Sequence, residues 1–201
     1  MGIIELLGLA GSVSLLSGWR LYATILITGL AMRSGWVPLP EQLQVLDVLA
    51  NPWVLGVAAV GAVMEFLADK VMWLDSIWDA VHSLIRPIGG ALLALAIVDP
   101  SDPTWQVVAF LLGGGAAFAA HAGKASARAA VNVSPEPVSN MVVSTTEDVA
   151  TLGLLALAIA NPVAAVVIAA VLLVLSIVLI VVVGRAVRRF LRQTRKRPDP
   201  V

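Results

Sequence analysis

The residues able to do chemistry gather in two stretches of an otherwise oily chain. The first, EFLADKVMWLDSIWDAVHSLIRP, places Glu65, Asp69, Lys70, Asp75, Asp79, His82 and Arg86 within 22 residues. The second carries His121, Lys124 and Arg128, followed by Glu136, Glu147 and Asp148. Apolar sequence flanks both, and an ionised group facing lipid costs at least about 2.5–3.5 kcal/mol. Such groups therefore face one another or water. Their spacing is helical: Glu65 and Asp69 are four apart, as are Lys124 and Arg128. Asp75, Asp79 and His82 follow at intervals of four and three, with Arg86 one turn further.

Several chemistries suit this set. The carboxylates Glu65, Asp69, Glu147 and Asp148 could bind or relay a cation or proton, with Arg86, Lys124 and Arg128 balancing them or holding an anionic solute. The same residues could form a static ion-pair network that pins helix ends. Asp75, Asp79 and His82 share a helical face suited to a divalent metal, with His121 as a fourth ligand. A solvated amphipathic helix gives the same pattern, and neither histidine has a second ligand at a diagnostic interval. The segment NVSPEPVSN, from Asn132 to Asn140, is not expected to be regular helix because of Pro135 and Pro137. Irregular backbone near membrane depth lines a cavity or is buried in protein. Asn132 and Asn140 are accordingly candidate solute contacts, unless the segment is an ordinary loop. Arg20, beside Trp19 and Tyr22, reads as an interfacial anchor rather than a buried counter-ion. The run Gly113–Gly115 lacks the Lys-Ser/Thr of a phosphate loop and suits close helix packing. With no cysteine, disulfides and thiolate chemistry are excluded. No nucleophile–base constellation stands out, and no cofactor is called for.

The elements that position these residues read as an all-α, polytopic membrane protein. Of 201 residues, 59% are hydrophobic and only 13% charged, about half the charged share of a soluble domain. The acidic N-terminal stretch MGIIELLGLAGS has no basic region and does not read as a cleaved signal peptide. About six spans are expected, at 3–32, 52–68, 88–98, 104–120, 142–160 and 162–183. The first is too long for one straight crossing and should break near Gly18, or else leave an N-terminal piece in the interface. A short amphipathic helix over 74–85 should end at Arg86-Pro87. The domain covers 1–184, with 1–98 and 104–184 as candidate halves of a 3+3 inverted repeat, each containing a span launched by Asn-Pro. Residues 185–201 form a basic tail.

Seven of the 13 Lys and Arg lie in that tail. By the positive-inside rule it is cytoplasmic, and six crossings then place both termini there. The spans ending at Glu65, Arg86 and Asp148 have only 12 or 13 uncharged residues, about 18–20 Å of helix against a core of about 30 Å. Their charges should thus sit inside the bilayer, around a polar vestibule open to the cytoplasm. The last span, charge-free for 23 residues, would face lipid or a second copy in a homodimer.

The combination of motifs resembles an uncharacterised domain-of-unknown-function family of small bacterial multi-pass membrane proteins. The matching residues are Glu65 to Lys70, Asp75-Ser76-Ile77-Trp78-Asp79 with His82, Arg86-Pro87 with Gly90-Ala91, His121, Lys124, Arg128 to Asn132, Ser134 to Pro137, Ser139-Asn140 and Glu147-Asp148. The resemblance implies a bacterial inner-membrane protein and brings no activity with it. The residues themselves favour a transporter or channel-like permease for a small solute or ion. The competing readings are a non-transporting scaffold or lipid-binding protein, and a membrane enzyme using His82 or His121 as acid or base. The expected partners are the lipid bilayer and a small solute or ion. Nucleic acid is not expected.

Overall fold

A computed structural model describes residues 3–35, 48–97, 103–131 and 137–194. All regular structure among them is helical: α1 (Ile3–Trp19), α2 (Leu21–Ser34), α3 (Pro52–Ala68), α4 (Met72–Ile97), α5 (Pro103–Val131), α6 (Pro137–Ala160) and α7 (Pro162–Thr194). Three contain a stretch long and apolar enough to cross a membrane, at Pro103–Ala129, Met141–Ala160 and Val163–Arg189. The distribution of side chains is inverted relative to a soluble protein. Arg20, Arg86, Arg128, Glu65 and Asp69 are fully buried, whereas Trp53 and Leu84 are 84% and 75% exposed. A protein that hides its charges and presents hydrocarbon outward is built for an apolar solvent.

The first apolar block breaks at Arg20 (φ −141°, ψ 82°), a single non-helical residue between α1 and α2. Helix directions follow from the contacts. Ser12 of α1 donates to the Ala165 carbonyl of α7, Gly18 lies against Ala117 and Ala120 of α5, and Gly123 of α5 lies against Ser176 of α7. The helices α1, α5 and α7 therefore run the same way. Tyr22 of α2 meets Gly61 of α3 and His82 of α4, while Gly29 lies beside Leu55 near the start of α3. So α2 runs against α3, and hence against α1. The block is a helical hairpin with Arg20 at its tip, not one bent crossing. In the structure α1 starts at the end of the bundle opposite to the arginines that close α7.

Far from lying in an interface, α1 is the centre of the bundle, packed by α2, α4, α5, α6 and α7. Its small residues allow this. Ser14 donates to the Gly90 carbonyl at 2.9 Å, and a Cβ on Gly18 would collide with the Ala117 carbonyl. Close backbone approach and serine hydrogen bonds are the usual adhesive between helices that lack a hydrophobic driving force. Gly90 and Gly113 do the same for α4 against α5. Leu9, Val13, Leu16, Leu155, Ile168 and Leu172 fill the apolar core.

Two expected breaks are absent. Pro87 sits inside a continuous α4, so the amphipathic helix and the third span are one element. Ending a helix in an apolar setting strands several backbone groups at several kcal/mol each, more than the single bond that proline removes. Likewise α5 continues to Val131, which puts His121, Lys124 and Arg128 on helix rather than loop. Pro137 opens α6, so helix begins inside the segment 132–140. The proline suits a first helical residue, where no N–H bond is lost. The Asn-Pro pairs are equivalent caps: Asn51 accepts from the Trp53 N–H, and Asn161 from those of Val163 and Ala164. Residues 1–98 supply four helices and 104–184 three, so the halves do not match helix for helix among the described residues. Past residue 184, α7 carries on without a break to Thr194.

Candidate functional site

Helix ends converge where the hairpin tip, the turn 69–71 between α3 and α4, and the middles of α5 and α6 meet. Asp69, at the C-cap of α3, is the hub. Its Oδ2 contacts Arg20 Nη1, Lys124 Nζ at 3.0 Å and Arg128 Nη2 at 3.3 Å, and the residue has no exposed surface. The backbone joins in. Lys124 Nζ also donates to the Trp19 carbonyl at the C-terminal end of α1 (3.4 Å), and Arg128 Nη1 to that of Asp69 (3.4 Å). Cations are thereby set against the negative ends of two helix dipoles that finish inside the bundle.

Ion pairs radiate from this hub. Towards α6, Arg20 Nη2 meets Asp148 Oδ1 at 2.8 Å, Lys70 Nζ meets Asp148 Oδ2 at 3.1 Å, and Arg128 Nη2 meets Glu147 Oε2 at 2.9 Å. Ser144 adds its hydroxyl to Lys70 at 2.5 Å, and Lys70 lies over the Phe66 ring. Along α4, Arg86 bridges Glu65 Oε1 at 2.8 Å and Asp79 Oδ1 at 3.0 Å. Arg86 Nη1 also donates to His121 Nδ1 at 2.5 Å. Since a guanidinium only donates, that nitrogen carries no proton and His121 is neutral. Its Nε2–H then points at Ser83 Oγ (3.1 Å), whose own hydrogen goes to the Asp79 carbonyl.

Beside this network lies a cavity of about 290 Å³ between α4 and α5, lined by Asp75, Ser76, Asp79, Ser83, His121 and Arg128, with Ala80, Ala125 and Ala129. The walls of this cavity come from two helices, α4 and α5. Glu65, Asp69, Lys124, Glu147 and Asp148 belong to the ion-pair network behind it. Of the expected solute contacts among the described residues, Arg128 alone both lines the cavity and joins the network, while Arg86 touches the lining through Asp79 and His121. Asn132 lies outside the described residues, as does the side chain of Asn140.

Among the described residues, no group of three or more His, Asp and Glu converges as metal ligands. The set Asp75, Asp79, His82 and His121 fails for a visible reason. His82 turns away to donate to the Trp78 carbonyl (2.8 Å) and meet the Tyr22 hydroxyl (3.2 Å), stacked on Trp78. His121 has given its Nδ1 lone pair to Arg86.

Arg20 is the largest correction. It is 2% exposed and pairs with Asp69 and Asp148, so it is a buried counter-ion and not an anchor. The excess of carboxylates over Lys70, Arg86, Lys124 and Arg128 was the sequence signal for a fifth cation. A row of buried hydroxyls also escaped notice. Thr24 and Thr28 on α2 and Thr151 on α6 lack a hydrogen-bond partner, and they lie one or two turns from the Arg20–Asp148 pair on the side away from the arginine tail.

No curated protein and no solved structure matches the chain. Residues 7–182, which include every residue of the network and the cavity, match the family model described as Domain of unknown function (DUF4126). The protein is therefore a member of the DUF4126 family, all-α and, among the described residues, with three helices long and apolar enough to cross a membrane.

Proposed function

We infer that this protein is a membrane transporter or channel-like permease for a small solute or ion, entered from the cytoplasm through the α4–α5 cavity. The observation that carries this reading is the meeting of that cavity with a layer of buried charge and interrupted helices. In transporters, helix ends that finish within the membrane supply dipoles and backbone groups to the permeating species, and irregular backbone survives there only where it lines a cavity or is buried in protein. The α1–α2 hairpin, with its tip at Arg20, is such an interruption.

In this reading α3 to α7 cross the bilayer and α1–α2 enters from the outside and returns. Exposed Trp53 and Trp105 begin α3 and α5 at one end, and Trp73 begins α4 at the other. From Trp53 to Ala68, where α3 ends, is about 22 Å of helix, and the turn 69–71 adds to this before Trp73, as expected of two aromatic belts that flank a hydrocarbon core of about 30 Å. The arginines of α7 then lie beyond the Trp73 belt, on the cytoplasmic side. The hydroxyls of Thr24, Thr28 and Thr151 extend the polar surface from the Arg20–Asp148 pair towards the outer belt, and give a solute a second half to its route. The reading as a static scaffold is supported for one part of the layer, the fully enclosed Asp69 hub, whose role is to hold the hairpin tip in place.

The absence of cysteine makes the entry route directly testable. Single cysteines at Ala80 and Ala125 are expected to react with a membrane-impermeant thiol reagent from the side bearing the arginines. Modification should block solute entry into proteoliposomes. Failure of both positions to react would overturn the cytoplasmic entrance.

A further inference from the structure

Among the described residues, the buried layer is one proton or one monovalent cation short. Its carboxylates are Glu65, Asp69, Asp75, Asp79, Glu147 and Asp148, and its cations are Arg20, Lys70, Arg86, Lys124 and Arg128. Among the described residues, six negative charges meet five positive ones. The histidines do not close the gap: His121 accepts from Arg86 and is neutral, and His82 is satisfied as neutral imidazole by the Trp78 carbonyl and the Tyr22 hydroxyl. A net charge enclosed in low dielectric is expensive and is ordinarily neutralised by protonation.

The structure indicates which group takes the charge. Glu65, Asp69, Asp79, Glu147 and Asp148 each have a cation at 3.0 Å or less. Asp75 has only Arg128 Nη1, at 3.8 Å, and its Oδ1 has no hydrogen-bond partner although the residue is 1% exposed. Asp75 also lines the cavity, so a proton can reach it from water there. The groups facing it are Asp79 one turn along α4, Arg128 and Lys124 on α5, and Asp69 on the turn before α4. An alkali ion fits less well, because it needs several oxygens and would share the cavity with the Arg128 guanidinium. A proton needs one oxygen and leaves a neutral acid that can donate a hydrogen bond to a solute.

We propose that Asp75 is a proton-binding site, protonated at neutral pH and exchanging with water through the α4–α5 cavity. The step is a simple transfer: the O–H bond forms at Oδ1 with a proton from cavity water, and breaks to return it. Its use as the coupling proton of transport rests on the permease reading, whereas its presence does not.

Infrared spectroscopy of the full chain in vesicles at pH 7 tests this without any flux. A carboxylic-acid C=O band is expected, shifted by ¹³C-aspartate labelling of the wild-type protein and lost in Asp75→Asn. In Asp75→Glu the band should return, now shifted by ¹³C-glutamate, which keeps the test alive if the asparagine variant does not fold. Absence of an acid band at pH 7, its persistence at aspartate in Asp75→Glu, or its appearance only after sodium removal would each overturn the assignment. A protein that holds this proton but moves no solute would overturn the permease reading alone.

Discussion

Replacing Asp69 by Asn removes one charge and leaves three cations, Arg20, Lys124 and Arg128, around a neutral amide that still has no exposed surface. Breaking a buried pair by deleting one partner costs about 3–5 kcal/mol. The hub loses three attractions at once, so that range is a floor for this site. A folded domain has about 5–15 kcal/mol in all, so Asp69→Asn is expected to fold poorly or to melt about 6–20 °C lower, at the 2–4 °C per kcal/mol typical of this chain length. Removing one of the stranded cations as well, in Asp69→Asn with Lys124→Met, should recover about 1–3 kcal/mol through coupling of neighbours. Asp75→Asn supplies the contrast, since it replaces a carboxyl that is already neutral with an amide of the same shape. Its cost is expected to stay within about 1 kcal/mol, the scale of one net hydrogen bond. Loss of helical circular dichroism on heating in detergent reads both. If Asp69→Asn matched the wild type, or Asp75→Asn cost as much as Asp69→Asn, the division between an enclosed hub and a proton-bearing cavity wall would be wrong.

Glycine substitutions probe the packing that places the hairpin. Gly18→Ala drives a Cβ into the Ala117 carbonyl and should destabilise by about 1–3 kcal/mol, as overpacking does, whereas Gly115→Ala meets nothing and should stabilise by about 0.5–1 kcal/mol through helix propensity; thermal melts compare the two. The hairpin itself predicts sidedness. A reporter fused ahead of α1 and a cysteine at Val48 should be accessible from one face of the membrane, and a cysteine at Arg192 from the other; accessibility of the reporter and Arg192 from a single face would restore the single crossing. Arg20→Met should lower the melting temperature as Asp69→Asn does, because it leaves Asp148 facing Lys70 alone; an anchor at the lipid surface would tolerate the change.

What the sequence made legible was composition, the helical spacing of charges and the need for them to face one another. That the carboxylates and cations meet follows from charge counting and depth; which meets which, Asp69 with Lys124 and Arg128 or Glu65 with Arg86, came only from the structure. The family resemblance read from those motifs was borne out, as was the all-α class. The rest depended on contacts between distant elements. Arg20 sits beside Trp19 and Tyr22 in sequence, and only the reversal of α2 against α1 turns it inward towards Asp69. The rule that proline ends a helix failed at Pro87, because it describes chains that can hand their loose backbone groups to water. Asp75 looked like a metal ligand through its spacing to Asp79 and His82. Its distinguishing feature is the poor pairing of one oxygen, which no spacing reveals. The histidines were misleading in the same way, since His82 and His121 are each satisfied by neighbours from other turns or helices.

Charge movement in reconstituted vesicles bears most directly on the central claim. Proteoliposomes on a solid-supported membrane, given an inward proton gradient and a panel of small ions and solutes, should show a solute-evoked current with the wild-type protein. That current should be absent from empty vesicles and from Asp75→Asn, which folds but holds no exchangeable proton at that position. No evoked current with any member of the panel, or the same current in Asp75→Asn, would contradict a proton-linked permease built on this cavity.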